Sequence, residues 1–344
     1  MTEDQHKSYM LRAIELAELG RGSVSPNPMV GCVIVHNGLI IGEGYHEEYG
    51  QAHAEVNAIA AVKDKSLLKE ATLYVSLEPC AHFGKTPPCA DLIVKHQLKE
   101  VIIAAVDSNP LVEKKGIQKL TQAGIAVTTG VMEDKVRKQN VRFFTQMEKK
   151  RPYIILKWAQ TKDGFVARTN FDSKWISNSL SRQQVHRWRT EEDAILVGTN
   201  TARYDNPRLN ARDWYGKDPL RLVVDRELKL EESLYLFDGQ QDTIIYNNQL
   251  NKTVGKTEWA KMDVRIDAKE IVADLYARNI QSLIVEGGAA VLGDFIANDL
   301  WDEARVFTGN AMFGLGIPAP LMTTIPTAQY TFKEDLLAIY HNHD

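Results

Sequence analysis

The sequence predicts an α/β protein of two domains. Apolar strands alternate with helix-forming stretches along the chain. A charged helical segment, Glu133 to Lys150, then interrupts that alternation and ends at Arg151-Pro152. Past it the strand–helix pattern restarts at Tyr153. With 344 residues, each half is long enough to bury its own core, so the domains are expected at 1–148 and 149–344.

Taken in order, the first half opens with an amphipathic helix near Asp4 to Leu19. Tyr9, Met10, Ala13, Ile14 and Ala17 recur on it at helical spacing, and Gly20 and Gly22 stop it. Ser25-Pro26-Asn27-Pro28 cannot continue a helix, and Asn27 either makes a turn or meets a ligand. Strands Val30 to Val35 and Leu39 to Glu43 flank Asn37-Gly38, the strongest short hairpin signal. A helix over Ala52 to Val62 carries His53 and Glu55 in its first turn. Thr72 to Leu77 is a buried strand running into Glu78-Pro79-Cys80, and Pro87-Pro88 suits a helix start at Cys89. Strand Val101 to Val106, a helix around Glu113 to Ala123 and strand Ile125 to Thr128 complete the domain.

His53-Ala54-Glu55, Pro79-Cys80 and Pro87-Pro88-Cys89 form the constellation that carries chemistry. A zinc ion that activates water takes three protein ligands and leaves one position open. A zinc deaminase adds a nearby carboxylate that is not a ligand and moves the proton. His53, Cys80 and Cys89 fit the ligand set, and Glu55 fits the general acid/base. A lone His-x-Glu signifies little, and single cysteines are usually core residues. Cys32 reads that way, inside an apolar run. His82 is the tempting extra ligand, but three ligands and water already complete a tetrahedron.

In the second half, strand Tyr153 to Trp158 leads into an Asp163-Gly164 turn. Ser173-Lys174-Trp175-Ile176-Ser177, a helix to Arg189, strand Ala194 to Gly198 and Thr199-Asn200-Thr201 follow. Asp205-Asn206-Pro207-Arg208-Leu209-Asn210-Ala211-Arg212 precedes strands Leu220 to Asp225 and Thr243 to Tyr246. Ser282-Leu283-Ile284-Val285-Glu286-Gly287-Gly288 then reads as an apolar strand opening through two glycines into a helix over Ala289 to Ala297. That junction either lets a phosphate reach backbone N–H groups or is only a tight turn. No G-x-G-x-x-G follows a strand, so an ordinary Rossmann site is not supported.

The generic deaminase pattern has two residues between its cysteines, whereas Ala81 to Pro88 intervene here. The long loop Ser76 to Ala90, together with Pro26-Asn27-Pro28-Met29-Val30-Gly31, resembles the RibD family of riboflavin-biosynthesis proteins, fused pyrimidine deaminases and reductases. The second half resembles it too. The family pattern Lys-x-Ala-x-Ser-x-Asp-Gly is met at Lys157, Ala159, Asp163 and Gly164, with Thr161 in place of Ser. The resemblance implies a cytidine-deaminase-like α/β/α sandwich joined to a dihydrofolate-reductase-like α/β domain. It implies a zinc ion and NADPH as cofactors, with Ala159, Trp175, Thr201, Asp205 and Gly288 at the NADPH site. Asn27, Ser173, Arg189, Leu209, Arg212 and Glu286 would contact a pyrimidine ribotide, and Lys157 with Glu286 would hold its ribose hydroxyls. The expected reactions are deamination of 2,5-diamino-6-(ribosylamino)-4(3H)-pyrimidinone 5′-phosphate and reduction of its ribosyl chain to give 5-amino-6-(ribitylamino)uracil 5′-phosphate. A homo-oligomer, dimer or tetramer, is also implied.

Composition bears on the alternatives. A nucleic-acid-editing deaminase with a non-catalytic second domain favours a basic surface, and the net charge is −4. A structural zinc protein would usually close its fourth position with another ligand. Three cysteines build no disulfide framework. The polar stretch Met1 to Lys7 has no signal-peptide core, and no apolar run reaches the roughly 18 residues of a membrane span. A soluble, cytoplasmic enzyme without nucleic-acid or membrane partners is the expectation.

Overall fold

Thr2 starts the first helix through a capping box with Gln5, and α1 (Glu3–Glu18) buries Met10, Ala13, Ile14 and Ala17. A computed structural model describes residues 2–342 apart from 84–86, 110–111 and 263–265. The loop motif's Gly84, Lys85 and Thr86 therefore lie outside the described residues. The chain divides into two units, Met1–Lys150 and Arg151–Asp344.

In the first unit, β1 (Gly31–His36) and β2 (Leu39–Tyr45) form the hairpin expected from Asn-Gly, with φ of 49° at Asn37 and 76° at Gly38. α2 (Ala54–Ala61), β3 (Thr72–Leu77), α3 (Cys89–Lys95), β4 (Glu100–Ala105), α4 (Lys115–Gln122) and β5 (Ala126–Thr129) follow. The sheet order is β2-β1-β3-β4-β5, with β3, β4 and β5 parallel. Strand alternation sends Cys32, Ile34, Leu73, Val75, Val101 and Ile103 against α2, α3 and α4. Their neighbours Val33, Val35, Tyr74 and Ile102 face α1 and the last two helices. The result is an α/β/α sandwich. The segment expected as one helix over 133–150 is two, α5 (Glu133–Gln139) and α6 (Val141–Lys149). They break at Asn140, whose buried amide is committed elsewhere: it donates to Met29 O (3.0 Å) and accepts from Met29 N (2.8 Å). That clamp fixes the loop bearing Asn27.

The second unit begins with β6 (Tyr153–Gln160), β7 (Phe165–Arg168), α7 (Ser179–Glu191), β8 (Ala194–Gly198), α8 (Thr199–Asp205) and β9 (Leu220–Val224). β10 (Thr243–Asn247), β11 (Lys252–Val254), β12 (Thr257–Lys261), α9 (Ala268–Ala277), β13 (Ser282–Val285) and α10 (Ala289–Ala297) come next. β14 (Glu303–Thr308), β15 (Gly316–Pro318), β16 (Ala328–Phe332) and β17 (Asp335–His341) close the chain. Among the described residues the main sheet has the order β11-β12-β10-β9-β8-β13-β6-β14-β17-β16. From β12 to β14 neighbouring strands are parallel, and antiparallel strands close both edges. Its central strands read as continuous apolar runs because both faces are covered, Ala194–Gly198 being buried throughout. The Asp163-Gly164 turn is architectural. The Asp163 carboxylate accepts the N–H groups of Phe313 and Gly314 (2.7 Å to Gly314), while Thr161 Oγ1 accepts from Phe165 N (2.9 Å). A threonine hydroxyl serves there as well as a serine's.

Two candidate active sites

The first site sits where α2 and α3 begin. Gly42 and Gly44 let α2 lie directly on β2: a Cβ at Gly44 would stand 2.3 Å from Ala58 N, so any side chain would push the helix away. His53 is the N-cap residue of α2, one position before the first turn expected from sequence. Its imidazole does not cap the helix. Instead Nδ1 lies 3.6 Å from Cys80 Sγ and 3.3 Å from Cys89 Sγ. Glu78 anchors the turn that carries Cys80, its carboxylate accepting N–H groups of Lys114 (3.0 Å), Gly116 (3.0 Å) and Ile117 (3.2 Å) at the start of α4. Cys89 opens α3, where backbone N–H groups favour a thiolate, and its own N–H points at Cys80 Sγ (3.3 Å).

These three donors lie within 4.8 Å of one another and form the metal-capable cluster found among the described residues. Zn–S bonds of about 2.3 Å and Zn–N bonds of about 2.0–2.1 Å put tetrahedral neighbours roughly 3.5–3.8 Å apart, so the set fits zinc. The Cys89 thiol and His53 bring Cys80 down to about 4 against its burial, which makes that sulfur a ready thiolate ligand. Glu55, in the first turn of α2, is 3% exposed. Burial, aided by the neighbouring Cys80 sulfur, pushes its carboxyl up to about 7. His82, left out of the ligand set from sequence, is exposed and outside the cluster. Cys32 is fully buried in β1, as core.

Asn27 Nδ2 lies 3.1 Å from His46 Nε2, and His46 Nδ1 lies 3.1 Å from Ala52 O. The carbonyl only accepts, so Nδ1 carries the proton and Nε2 accepts from Asn27. No motif marks His46 in the sequence. The histidine ring also stands edge-on to His53, with centroids 5.3 Å apart.

The second site is a cavity of about 840 Å³ in the second unit. Lys157, Ala159, Ser173, Trp175, Arg189, Thr201, Asp205, Leu209, Arg212, Glu286 and Gly288 all line it. Sequence reasoning drew these residues from segments far apart in the chain, and the parallel strands bring them together. Glu286 leaves the end of β13 and is buried between two cations. Arg189 grips it with two bonds (Nε to Oε1 2.7 Å, Nη2 to Oε2 2.8 Å), and Lys157 Nζ adds a third at 3.4 Å. Although burial opposes it, these charges hold the Glu286 carboxyl down to about 2. Burial lowers the pKa of Lys157, the less well paired cation. Arg189 is thus engaged with a carboxylate, whereas Arg212 is exposed and donates to Asn210 Oδ1 (3.1 Å). Ser173 Oγ donates to Asp205 Oδ1 (2.9 Å). Trp175 is 70% exposed, with the Arg182 guanidinium 4.6 Å from its ring centre.

At the Glu286-Gly287-Gly288 junction Gly288 has φ +71°, and a Cβ on Gly287 would stand 3.1 Å from Thr201. Glycine thus leaves room in front of α10, whose first residues Ala289 and Ala290 line the cavity, and the start of a helix suits a pyrophosphate. Such a cradle fits a dinucleotide. Arg226 and His186 also line the cavity. Neither had a signal in the sequence, since one follows a strand and the other sits on an ordinary amphipathic helix.

An α/β/α unit with an open His-Cys-Cys zinc site, followed by a parallel-sheet unit with a dinucleotide-sized cavity, defines a zinc deaminase fused to a reductase. Comparison with known proteins agrees. Residues 3–105 match the cytidine and deoxycytidylate deaminase zinc-binding region, and residues 152–332 match the RibD C-terminal domain. The chain is 41% identical over 323 residues to the riboflavin biosynthesis protein RibD of Aquifex aeolicus, covering 92% of this chain and 90% of that one. A crystal structure of a diaminohydroxyphosphoribosylaminopyrimidine deaminase/5-amino-6-(5-phosphoribosylamino)uracil reductase from Thermotoga maritima is 36% identical. It superposes with a TM-score of 0.89, covering 98% of this chain and 99% of that one. RibD of Acinetobacter baumannii is 32% identical, with a TM-score of 0.90 and full coverage of both chains. The chain belongs to the RibD family: it is a bifunctional riboflavin-biosynthesis enzyme, a zinc-dependent deaminase joined to an NADPH-dependent reductase. No helix among the described residues is long and apolar enough to cross a membrane.

Proposed function

We propose that the first unit deaminates 2,5-diamino-6-(ribosylamino)-4(3H)-pyrimidinone 5′-phosphate, and that the second reduces the ribosyl chain of the product to the ribityl chain. The observation that carries the reading is the occurrence, in one chain, of a three-ligand His-Cys-Cys cluster beside a buried Glu55 and of a second-unit cavity of about 840 Å³ lined by Lys157, Arg189, Arg212 and Glu286. His53, Cys80 and Cys89 are the zinc ligands. Zinc, when bound, lowers the pKa of water from about 15.7 toward 7. Glu55 takes the water's proton on its carboxylate and returns it to the departing nitrogen, so that water enters and ammonia leaves. Asn27, held by His46 and by the Asn140 clamp, offers its amide to the pyrimidine.

In the second unit Ala159, Trp175, Thr201, Asp205 and Gly288 hold NADPH, which supplies the hydride. Lys157 and Glu286 orient the ribose hydroxyls, with Arg189 fixing the Glu286 carboxylate. Ser173 and Leu209 shape the same wall, and Arg212 clamps the ribotide phosphate. The domains are read as 1–148 and 149–344 and the setting as cytoplasmic, supported by thiols that must stay reduced to bind metal. A test of the substrate is direct: zinc-loaded enzyme should release ammonia from the diaminopyrimidinone ribotide and leave cytidine and dCMP unchanged. Turnover of cytidine with none of the ribotide would overturn the reading.

Preference for NADPH rests on Arg226. The preceding Asp225 commits both carboxylate oxygens to the N–H groups of Lys229 (3.1 Å) and Leu230 (3.0 Å). Arg226, donating to Ile266 O (2.6 Å), lines the cavity and is the cation suited to the 2′-phosphate. Arg226→Leu should raise KM for NADPH roughly 10- to 100-fold and leave NADH unchanged; equal loss with both would remove the assignment.

A homo-oligomer is supported by apolar exposure in one stretch: Met312 (69%), Leu315 (72%), Leu321 (80%) and Ile325 (86%), leading into edge strand β16. Sedimentation should give a dimer or larger, and Ile325→Asp should shift it toward monomer. A wild-type monomer at micromolar concentration contradicts this.

A further inference from the structure

We propose that His186 is a positioning residue of the reductase site, its imidazole fixing the Leu209–Arg212 turn that presents the phosphate clamp. The inference rests on the reading of that cavity as the ribotide site. His186 is 4% exposed and lies on α7 one turn before Arg189. Its Nδ1 is 2.9 Å from Asn210 O, so the proton is on Nδ1, because a carbonyl only accepts. Arg189 Nη1 gives the same oxygen a second bond at 3.0 Å. Asn210 passes the constraint on, since its side-chain Oδ1 accepts from Arg212 Nη1 (3.1 Å). His186 Nε2 stands 3.2 Å from the Asp213 carboxylate, a pair that bonds only when the ring is doubly protonated, which its burial and the nearby Arg189 and Arg212 charges oppose. The hold on the turn is therefore the Nδ1–H bond to Asn210 O.

The turn needs such support. Leu209, 2% exposed, has φ +55°, a left-handed backbone that a leucine keeps only where its surroundings hold it. On that reading Arg212 meets the ribotide phosphate at one place, and the length of its side chain leaves that place undefined unless its backbone is fixed. His186 therefore acts through Asn210, without touching the reacting atoms.

Asparagine and glutamine separate this role from simple packing. His186→Asn keeps an N–H close to the Nδ1 position, whereas His186→Gln carries it out to the Nε2 position, away from Asn210. With 5-amino-6-(5-phosphoribosylamino)uracil as reductase substrate, Gln should raise its KM about tenfold or more. KM for NADPH and ammonia release by the first unit should stay unchanged, and Asn should remain within about threefold of wild type. Asn and Gln behaving alike, or a Gln variant with wild-type KM, would overturn the proposal, as would a parallel rise in KM for NADPH. Arg212→Ala serves as the reference. If it leaves the substrate KM unchanged, the reading of the cavity fails and takes this proposal with it; if it raises KM while Gln does not, only the role of His186 falls.

Discussion

Glu55→Gln is expected to slow ammonia release by roughly 10²- to 10⁴-fold, the range that a positioned proton-transfer group contributes. The amide preserves shape and burial, so zinc content should equal wild type, as metal analysis would show. Reduction of the already deaminated ribotide should be unaffected, because its cavity belongs to the second unit. Full deamination by this variant would remove Glu55 from the mechanism. Loss of zinc together with activity would instead make Glu55 a support of the ligand set.

Glu286→Gln should be the most damaging change in the second unit. The substitution leaves Arg189 and Lys157 side by side in a buried cavity wall with a neutral amide between them. Breaking a buried ion pair by removing one partner costs about 3–5 kcal/mol. Lys157, its pKa already lowered by burial, can shed its proton and keep the loss at the lower end. Melting should fall by on the order of 10 °C for the second unit, with reduction abolished and ammonia release retained. A melting temperature within a degree or two of wild type would show that the triad is not buried tightly enough to matter. The wild-type triad also sets an acid limit. The folded Glu286 carboxyl is depressed from an ordinary 4.5 to about 2, so its contribution is complete above the ordinary value and disappears as pH falls toward 2.

Much of this was legible before the fold. Thr72–Leu77, Ala194–Gly198 and Ala289–Ala297 were delimited from sequence as they stand in the structure, because apolar runs and turn residues mark them sharply. The convergence of His53, Cys80 and Cys89 was legible because metal chemistry restricts residue type and spacing together. The helix break at Asn140 was not, since an asparagine inside a charged helical stretch gives no hint that its amide is bound to Met29, far away in sequence. The Arg189–Glu286–Lys157 triad was missed for a similar reason. Each member was expected to contact substrate; the parallel packing of β6 beside β13 brings Lys157 to Glu286, and Arg189 reaches the same carboxylate from α7. Arg226 and His186 carry no motif, and only the fold brings them to the cavity wall.

The most direct measurement follows ammonia and NADPH together in one preparation of zinc-loaded enzyme given the diaminopyrimidinone ribotide. Two reactions in series predict one NADPH oxidised for each ammonia released, with oxidation lagging behind ammonia. Ammonia without oxidation would contradict the reductase assignment, and neither signal with zinc in place would contradict the account as a whole.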